Sequence, residues 1–461
     1  MKGGGDDRDD RGDDGGRTSE RNWAENVTFA AARVVTPTSV AELARAVTGG
    51  GAVRPLGTRH SFNRIADTDG TLISTAGLPR LVRLDPAARE VTVSAGTRYG
   101  DLGRELDAAG WALRNLGSLP HISIAGACAT ATHGSGERNG NLATSVVALD
   151  LVTSSGELVT VRRGVDEDFD GHVVALGALG VVVALTLEVV PTFQVSQHVY
   201  EGLTRGSLLA GVDEILGAAY SVSVFTTWDP DAGSQVWLKR RLGEGREAGE
   251  DREDREDRED REGGAGTAAP APAELCGARP ATRPLHPIPG VDPVHTTQQL
   301  GAPGPWFERL PHFRLGFTPS AGDELQSEYF VPRDRAAAAI EAVYKVSGDI
   351  RGALQIGELR TVAADGLWLS PAYRRDALAL HFTWLPDESA VARAVAAVER
   401  ALAPFDPRPH WGKVFAMDPG QVRAGYPRMA DFARLATRYD PSGVFRNDFL
   451  DAYLDPYPRL G

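Results

Sequence analysis

Cysteine is nearly absent from this chain: Cys128 and Cys276 are the only two in 461 residues. Two thiols supply no framework of bridges, which excludes the small cross-linked secreted scaffolds and fits a reducing compartment. Long hydrophobic runs are missing as well. The one stretch with membrane-like composition, Val173 to Val190, is interrupted by Gly177, Gly180, Thr186 and Glu188. It reads as a loop followed by a buried strand, Val181 to Leu187. Residues 1–20 lack the apolar core of a secretory signal, so a cytoplasmic protein with a disordered start is expected. Positive charge is not in excess either. The net charge is −13; residues 1–20 hold seven acids and four bases, residues 243–263 eleven acids and five bases, leaving four negative charges to the rest. No basic surface argues for nucleic acid, and the acidic balance argues against anionic membranes. No Gly-x-Gly-x-x-Gly follows a strand, and His286, His295 and His312 lack the spacing of a metal site, so neither a nicotinamide fold nor a metal is expected.

What is present describes a globular protein of more than one core. A hydrophobic content of 42% is ordinary, and the length suits two domains. After the tail at 1–20, residues 21–192 alternate short strands and helices: a strand over Ala52 to Leu56, a helix over Val40 to Val47, a strand over Glu90 to Ala95, an amphipathic helix over Gly100 to Ala109. From 193 to 410 the elements lengthen, as in Ala336 to Val346 and Ala390 to Leu402, which reads as a substrate cap. Residues 411–461 are expected to return to the first domain. Inside the cap, residues 243–263 carry a Glu-Asp-Arg repeat with almost no apolar side chain, a solvated insert that buries no face. The fold class is α+β.

Two segments carry the chemistry. Pro55-Leu56-Gly57-Thr58-Arg59-His60-Ser61-Phe62-Asn63 follows a short strand. Gly57 can turn the backbone where a Cβ would clash, and the N–H groups of Thr58 to Ser61 can face an anion. Alone, a histidine after a glycine turn more often caps that turn. The second segment, Gly117 to Gly136, is dense in small residues and hydroxyls. Gly126, Gly134 and Gly136 offer bare N–H groups, and Ser118, Ser123, Thr130 and Thr132 offer donors that do not crowd a flat ring or a pyrophosphate.

Together these segments resemble the vanillyl-alcohol-oxidase flavoprotein superfamily, and within it the alditol (xylitol and sorbitol) oxidases of actinomycete type. The resemblance runs from about Trp23 to the C-terminus. It passes through Gly57 to Asn63, Ser118-Leu119-Pro120-His121-Ile122-Ser123, Glu358-Leu359-Arg360-Thr361, His381-Phe382-Thr383-Trp384 and His410-Trp411-Gly412-Lys413. It implies a two-domain FAD-binding fold of the PCMH type with an α+β cap. It also implies FAD joined through its 8α-methyl group to His60, and oxidation of a polyol by hydride transfer with O2 as final acceptor. The flavin contacts it implies are Leu56, Gly57, Thr58, Arg59, His60, Ser61, Gly117, Ser118, Ser123, Gly126, Thr132, His133, Gly134, Gly180 and Val182. Gly117 falls where a larger residue would block oxygen, which favours oxidase over dehydrogenase. Cys128 is expected to be a buried thiol rather than a second tether.

In the cap, alternation along Ala379 to Trp384 places His381 and Thr383 on one face and Leu380, Phe382 and Trp384 on the other. Glu358 and Arg360 share the same spacing, so two neighbouring strands can present four polar groups to one pocket. Read without the resemblance, Glu358 with Arg360 is sooner an exposed sheet-surface ion pair than a pocket pair, and His410 to Lys413 sooner a turn with a snorkelling lysine. The resemblance places Ser118, Glu358, Arg360, Thr383 and Lys413 around the substrate hydroxyls, with His381 beside them. In that arrangement Arg360 and Lys413 polarise the C1 oxygen and His381 or a basic neighbour takes its proton, while Glu358, Ser118 and Thr383 hold the C2 and C3 hydroxyls. The partners expected are thus a small polyol and O2, on a monomer. A sugar-1,4-lactone oxidase or dehydrogenase is the alternative within the superfamily. A flavin- or sugar-binding protein without turnover is the alternative outside it.

Overall fold

The computed structural model describes residues 20–242, 271–316 and 324–454. The expected disordered start and the charged insert at 243–263 lie outside those residues, except for position 20. In the N-terminal region a three-stranded parallel sheet, in the order Arg33–Val35, Thr71–Ser74, Val53–Leu56, accompanies a five-stranded antiparallel sheet. The latter runs Val82–Asp85, Glu90–Ser94, Val181–Glu188, Val146–Val152, Leu158–Arg162. Val53 and Ile73 of the first sheet share one apolar cluster with Val152, Val181 and Val183 of the second and with Leu43 and Val47 of the helix Val40–Thr48. That helix starts where the sequence says it should. The Ser39 side chain accepts from the N–H of Glu42, and Glu42 reaches back to the N–H of Thr38 at 2.8 Å, a reciprocal cap of about 1 kcal/mol.

The larger sheet has nine strands, all antiparallel. Its order is Arg279–Pro280, Gln194–Leu203, Ser234–Arg241, Ser221–Thr226, Leu354–Val362, Ala377–Trp384, Leu325–Pro332, Arg408–Pro409, with Gly304–Pro305 also pairing on Gln194–Leu203. One face packs against helices Ala336–Lys345 and Glu388–Leu402, whose Ile340, Val343, Val391, Val395 and Val398 join Leu359, Leu380, Phe382 and Trp384 in the main core. The alternation read along Ala379 to Trp384 therefore holds, and the opposite face is left for polar side chains.

The helices over 40–47, 100–109, 336–346 and 390–402 are found at Val40–Thr48, Tyr99–Ala108, Ala336–Lys345 and Glu388–Leu402. The stretch Gly117 to Gly136, read only as a place of close backbone approach, contains a short helix, Ile124–Ala129. Beyond Trp411 the chain is tied to the first sheet. The N–H of Val53 donates to the carbonyl of Val444, and the Asn447 amide donates to the carbonyls of Ile65 and Asp67 at 3.1 and 2.8 Å. Among the described residues no helix is long and apolar enough to cross a membrane.

Candidate active site

The turn that carries His60 is fastened from both sides. Trp23 N–H donates to the carbonyl of Arg59, the Asn22 amide to that of Ser61, and Phe62 N–H to that of Gly412. The Asn63 amide bonds the carbonyls of Trp411 and Lys413, both at 2.8 Å, so the two motifs are stitched together directly. The turning residue is not the one expected: Arg59 takes the left-handed conformation, at φ 64°. Gly57 serves close approach instead, since a Cβ there would lie 2.9 Å from Ser123 Oγ. His60 stacks on Trp23, with ring centroids 5.2 Å apart and planes 17° off parallel. Its Nδ1 is buried without a hydrogen-bond partner, as is Ser123 Oγ. No N–H from Thr58 to Ser61 donates to another protein group among the described residues. Orphaned polar atoms, free N–H groups and a turn with no room for a Cβ fit a flavin.

From this turn a cavity of about 600 Å³ runs to the polar face of the large sheet. Apolar residues such as Leu151, Leu176, Leu179 and Val182 line it near the turn, and charged ones line it at the sheet. Strand register arranges the latter. Glu358 pairs with His381, and His381 with Glu328, which sets three titratable side chains in one row across three strands. Glu328 is the hub. Its Oε1 accepts from Arg360 Nη2 at 2.7 Å and lies 3.1 Å from His133 Nε2, and its Oε2 accepts from Lys413 Nζ at 2.8 Å. Lys413 Nζ also meets His381 Nδ1 at 2.6 Å, His381 Nε2 lies 3.2 Å from Thr383 Oγ1, and Arg360 Nη1 donates to Ser118 Oγ at 3.2 Å.

Removing these charges from water is costly unless they compensate one another. Burial opposes ionisation of Glu328, but Lys413, His133 and Arg360 outweigh it and hold the carboxyl well below the usual range. For Glu358 burial is likewise outweighed, by Arg360 and His312. Burial draws Arg360 down, but the two carboxylates more than restore it. Burial lowers the Lys413 ammonium despite Glu328, and burial together with the Lys413 cation pushes His381 down to about 4. Burial does the same to His60, also to about 4, so both rings are neutral at pH 7. Two anions and two cations thus share one enclosed floor with neutral imidazoles.

The cavity gathers Ser118, Glu358, Arg360, His381, Thr383 and Lys413 with Leu56, Gly57, Thr58, Arg59, His60, Ser61, Gly117, Ser123, Gly126, Thr132, His133, Gly180 and Val182. Gly134 is not on its wall. A Cβ at Gly134 would collide with the Leu116 carbonyl at 2.3 Å and the Asn115 side chain, so packing rather than a ligand calls for glycine there. Gly136 is also misread, because its N–H goes to the carbonyl of Thr361. At Gly117 the nearest atom to a Cβ would be 3.6 Å away, so alanine would fit and packing does not impose glycine. His133, expected beside the flavin, is bound into the polar hub. Cys128 is buried against Tyr99, with its thiol pushed up to about 12 by burial. Glu328 escaped the sequence reading. Its signal is a carboxylate in Ser327-Glu328-Tyr329-Phe330-Val331, where every flanking residue is buried.

Residues 31–162 match the FAD binding domain family and residues 323–453 the D-arabinono-1,4-lactone oxidase family. The chain is similar to the alditol oxidase of a Streptomyces species, at 46% identity over 95% of this chain and 99% of that one. It is 31% identical to the L-gulono-1,4-lactone dehydrogenase of Mycobacterium tuberculosis, over 94% and 99% of the two chains. Among solved structures, cholesterol oxidase from Brevibacterium sterolicum matches with a TM-score of 0.70 at 14% identity, over 94% of this chain and 96% of that one, which bears on the fold alone. The fold is that of a PCMH-type FAD protein, and the chain is an FAD-dependent oxidoreductase. With 46% of positions shared along nearly its entire length, it belongs to the alditol oxidase family.

Proposed function

We propose that this protein oxidises the terminal C1 hydroxyl of linear alditols such as xylitol and sorbitol to the aldose, with FAD held covalently at His60 and O2 reduced to H2O2. The observation that carries the reading is the enclosed floor of Glu328, Glu358, Arg360 and Lys413 in the same cavity as His60. A site made of buried donors and acceptors selects substrates with matching hydroxyls, because a substrate lacking them leaves those groups stranded. When bound, FAD supplies the two-electron acceptance from the carbinol carbon and the return of those electrons to oxygen. The neutral imidazole of His60, its Nδ1 buried without a partner, is in the form that bonds carbon.

The protein's own part is proton handling and orientation. Arg360 and Lys413 polarise the C1 oxygen, while Glu358, Ser118 and Thr383 hold the C2 and C3 hydroxyls. Both ring nitrogens of His381 are engaged, so the hydroxyl proton does not reach that ring directly. Lys413 first passes a proton to Nδ1 of His381, 2.6 Å away, and the amine so formed takes the hydroxyl proton, which restores the ammonium. Glu328 Oε1, 3.7 Å from that nitrogen, steadies the imidazolium. Lactone oxidation is the second reading, favoured by the match of residues 323–453, and the higher identity to an alditol oxidase weighs against it. Peroxide release separates the two: turnover of xylitol well above that of gulonolactone is expected, and the reverse order would replace the alditol reading.

A further inference from the structure

The polar floor extends past the groups that the chemistry above uses. Lys239, on the strand Ser234–Arg241, is only 1% exposed, yet its Nζ has three partners. These are the carbonyls of Leu310 and Pro311, the latter at 3.1 Å, and Nδ1 of His312 at 3.0 Å. Three donors of an ammonium thus meet three acceptors. Burial lowers the Lys239 pKa to about 7, and up to that pH the acceptors receive the protonated form.

Because Lys239 donates to Nδ1, the ring proton of His312 belongs on Nε2, which lies 2.8 Å from Glu358 Oε1. Phe225 and Trp237 fix the ring edge-on, with centroids 5.3 and 5.5 Å away and planes at 72° and 83°. Burial and the Lys239 cation push His312 down to about 4, which keeps it a neutral, single-donor ring. Glu358 Oε1 is thereby occupied by His312 and faced by Arg360 Nε at 3.6 Å. Its second oxygen bonds no other protein group among the described residues, and Glu358 lines the cavity.

We infer that Lys239 and His312 are positioning residues for polyol recognition: Lys239 fixes the Nε2–H form of His312, and His312 holds Glu358 with its second oxygen left for a substrate hydroxyl. This rests on the alditol reading. A group that holds a hydroxyl binds ground state and transition state alike, so its loss appears mainly in KM. Flavin-loaded full-length variants compared on xylitol test the relay. His312→Leu, which strands both neighbours, is expected to raise KM about tenfold to a hundredfold with a smaller fall in kcat, and Lys239→Met to follow it. His312→Gln, whose amide can accept from Lys239 and donate to Glu358, is expected to recover most of the loss. A KM unchanged by His312→Leu, or a Gln variant as impaired as the Leu variant, would overturn the relay. If the Leu variant fails to fold, ¹⁵N-histidine labelling of the unaltered protein decides. The resonance that His312→Gln removes must be that of a neutral ring protonated at Nε2, and protonation at Nδ1 overturns the relay. Wild-type turnover is the control: no activity on any alditol would remove the substrate reading, whereas an active wild type with silent variants would remove the relay alone.

Discussion

Around Lys413, one ammonium lies between a carboxylate at 2.8 Å and an imidazole at 2.6 Å, which leaves one N–H for a substrate oxygen. Groups placed where charge changes during reaction affect rate more than binding. Lys413→Ala is accordingly expected to slow anaerobic flavin reduction by xylitol about a hundredfold to a thousandfold while weakening xylitol binding far less. Reduction at the wild-type rate would take Lys413 out of this role. The depressed pKa of His381 gives a second expectation. On the proposed proton path it must be neutral, so the rate is expected to be lost only as pH falls through about 4. A histidine with the ordinary value of about 6.5 would lose it near neutrality. Reduction rates across pH 5 to 8 with no break near 6.5 fit the proton path through His381, and a break there contradicts it.

At the level of elements, much depends on how strands are stitched beneath the cavity. Arg54 on Val53–Leu56 is 2% exposed and donates to four carbonyls: Gly177, Leu176, Ile65 and Phe445, at 3.0, 2.6, 2.7 and 2.7 Å. Arg54→Met would strand those acceptors at a cost of about 3 kcal/mol, lowering the melting temperature by several degrees. A melting curve that coincides with wild type would show that the carbonyls find other partners. Legibility in the sequence follows the same lines. The strand Ala377–Trp384 and the helix Glu388–Leu402 announce themselves because their two faces differ in polarity over many residues. The helix Ile124–Ala129 does not, since six residues, five of them small, fix no period. The roles of Glu328 and His312 are not legible in the sequence because each gains its meaning from register and from side chains distant in sequence. The glycines mislead for a related reason: close packing at Gly134 and ligand approach at Gly57 look the same in sequence, and only the folded chain tells them apart.

For the molecule as a whole, the decisive feature is that one cavity joins two chemically different ends, an apolar slot beside the His60 turn and a charged floor on the nine-stranded sheet. Neither end is sufficient: the slot suits a flavin, and the floor suits a hydroxylated substrate. Their junction is built from the Asn63 amide, which ties the His60 turn to the segment that ends in Lys413. Replacing His60 by alanine should separate tethering from binding, with flavin released by acid denaturation of the variant and retained by the wild type. Release from both would show that the link at His60 does not form. The most direct test is the visible spectrum of the purified protein before and after anaerobic addition of xylitol. Bleaching of the flavin band, reversed by oxygen with release of peroxide, is the expected result. A colourless protein, or a flavin band that no alditol bleaches, would contradict it.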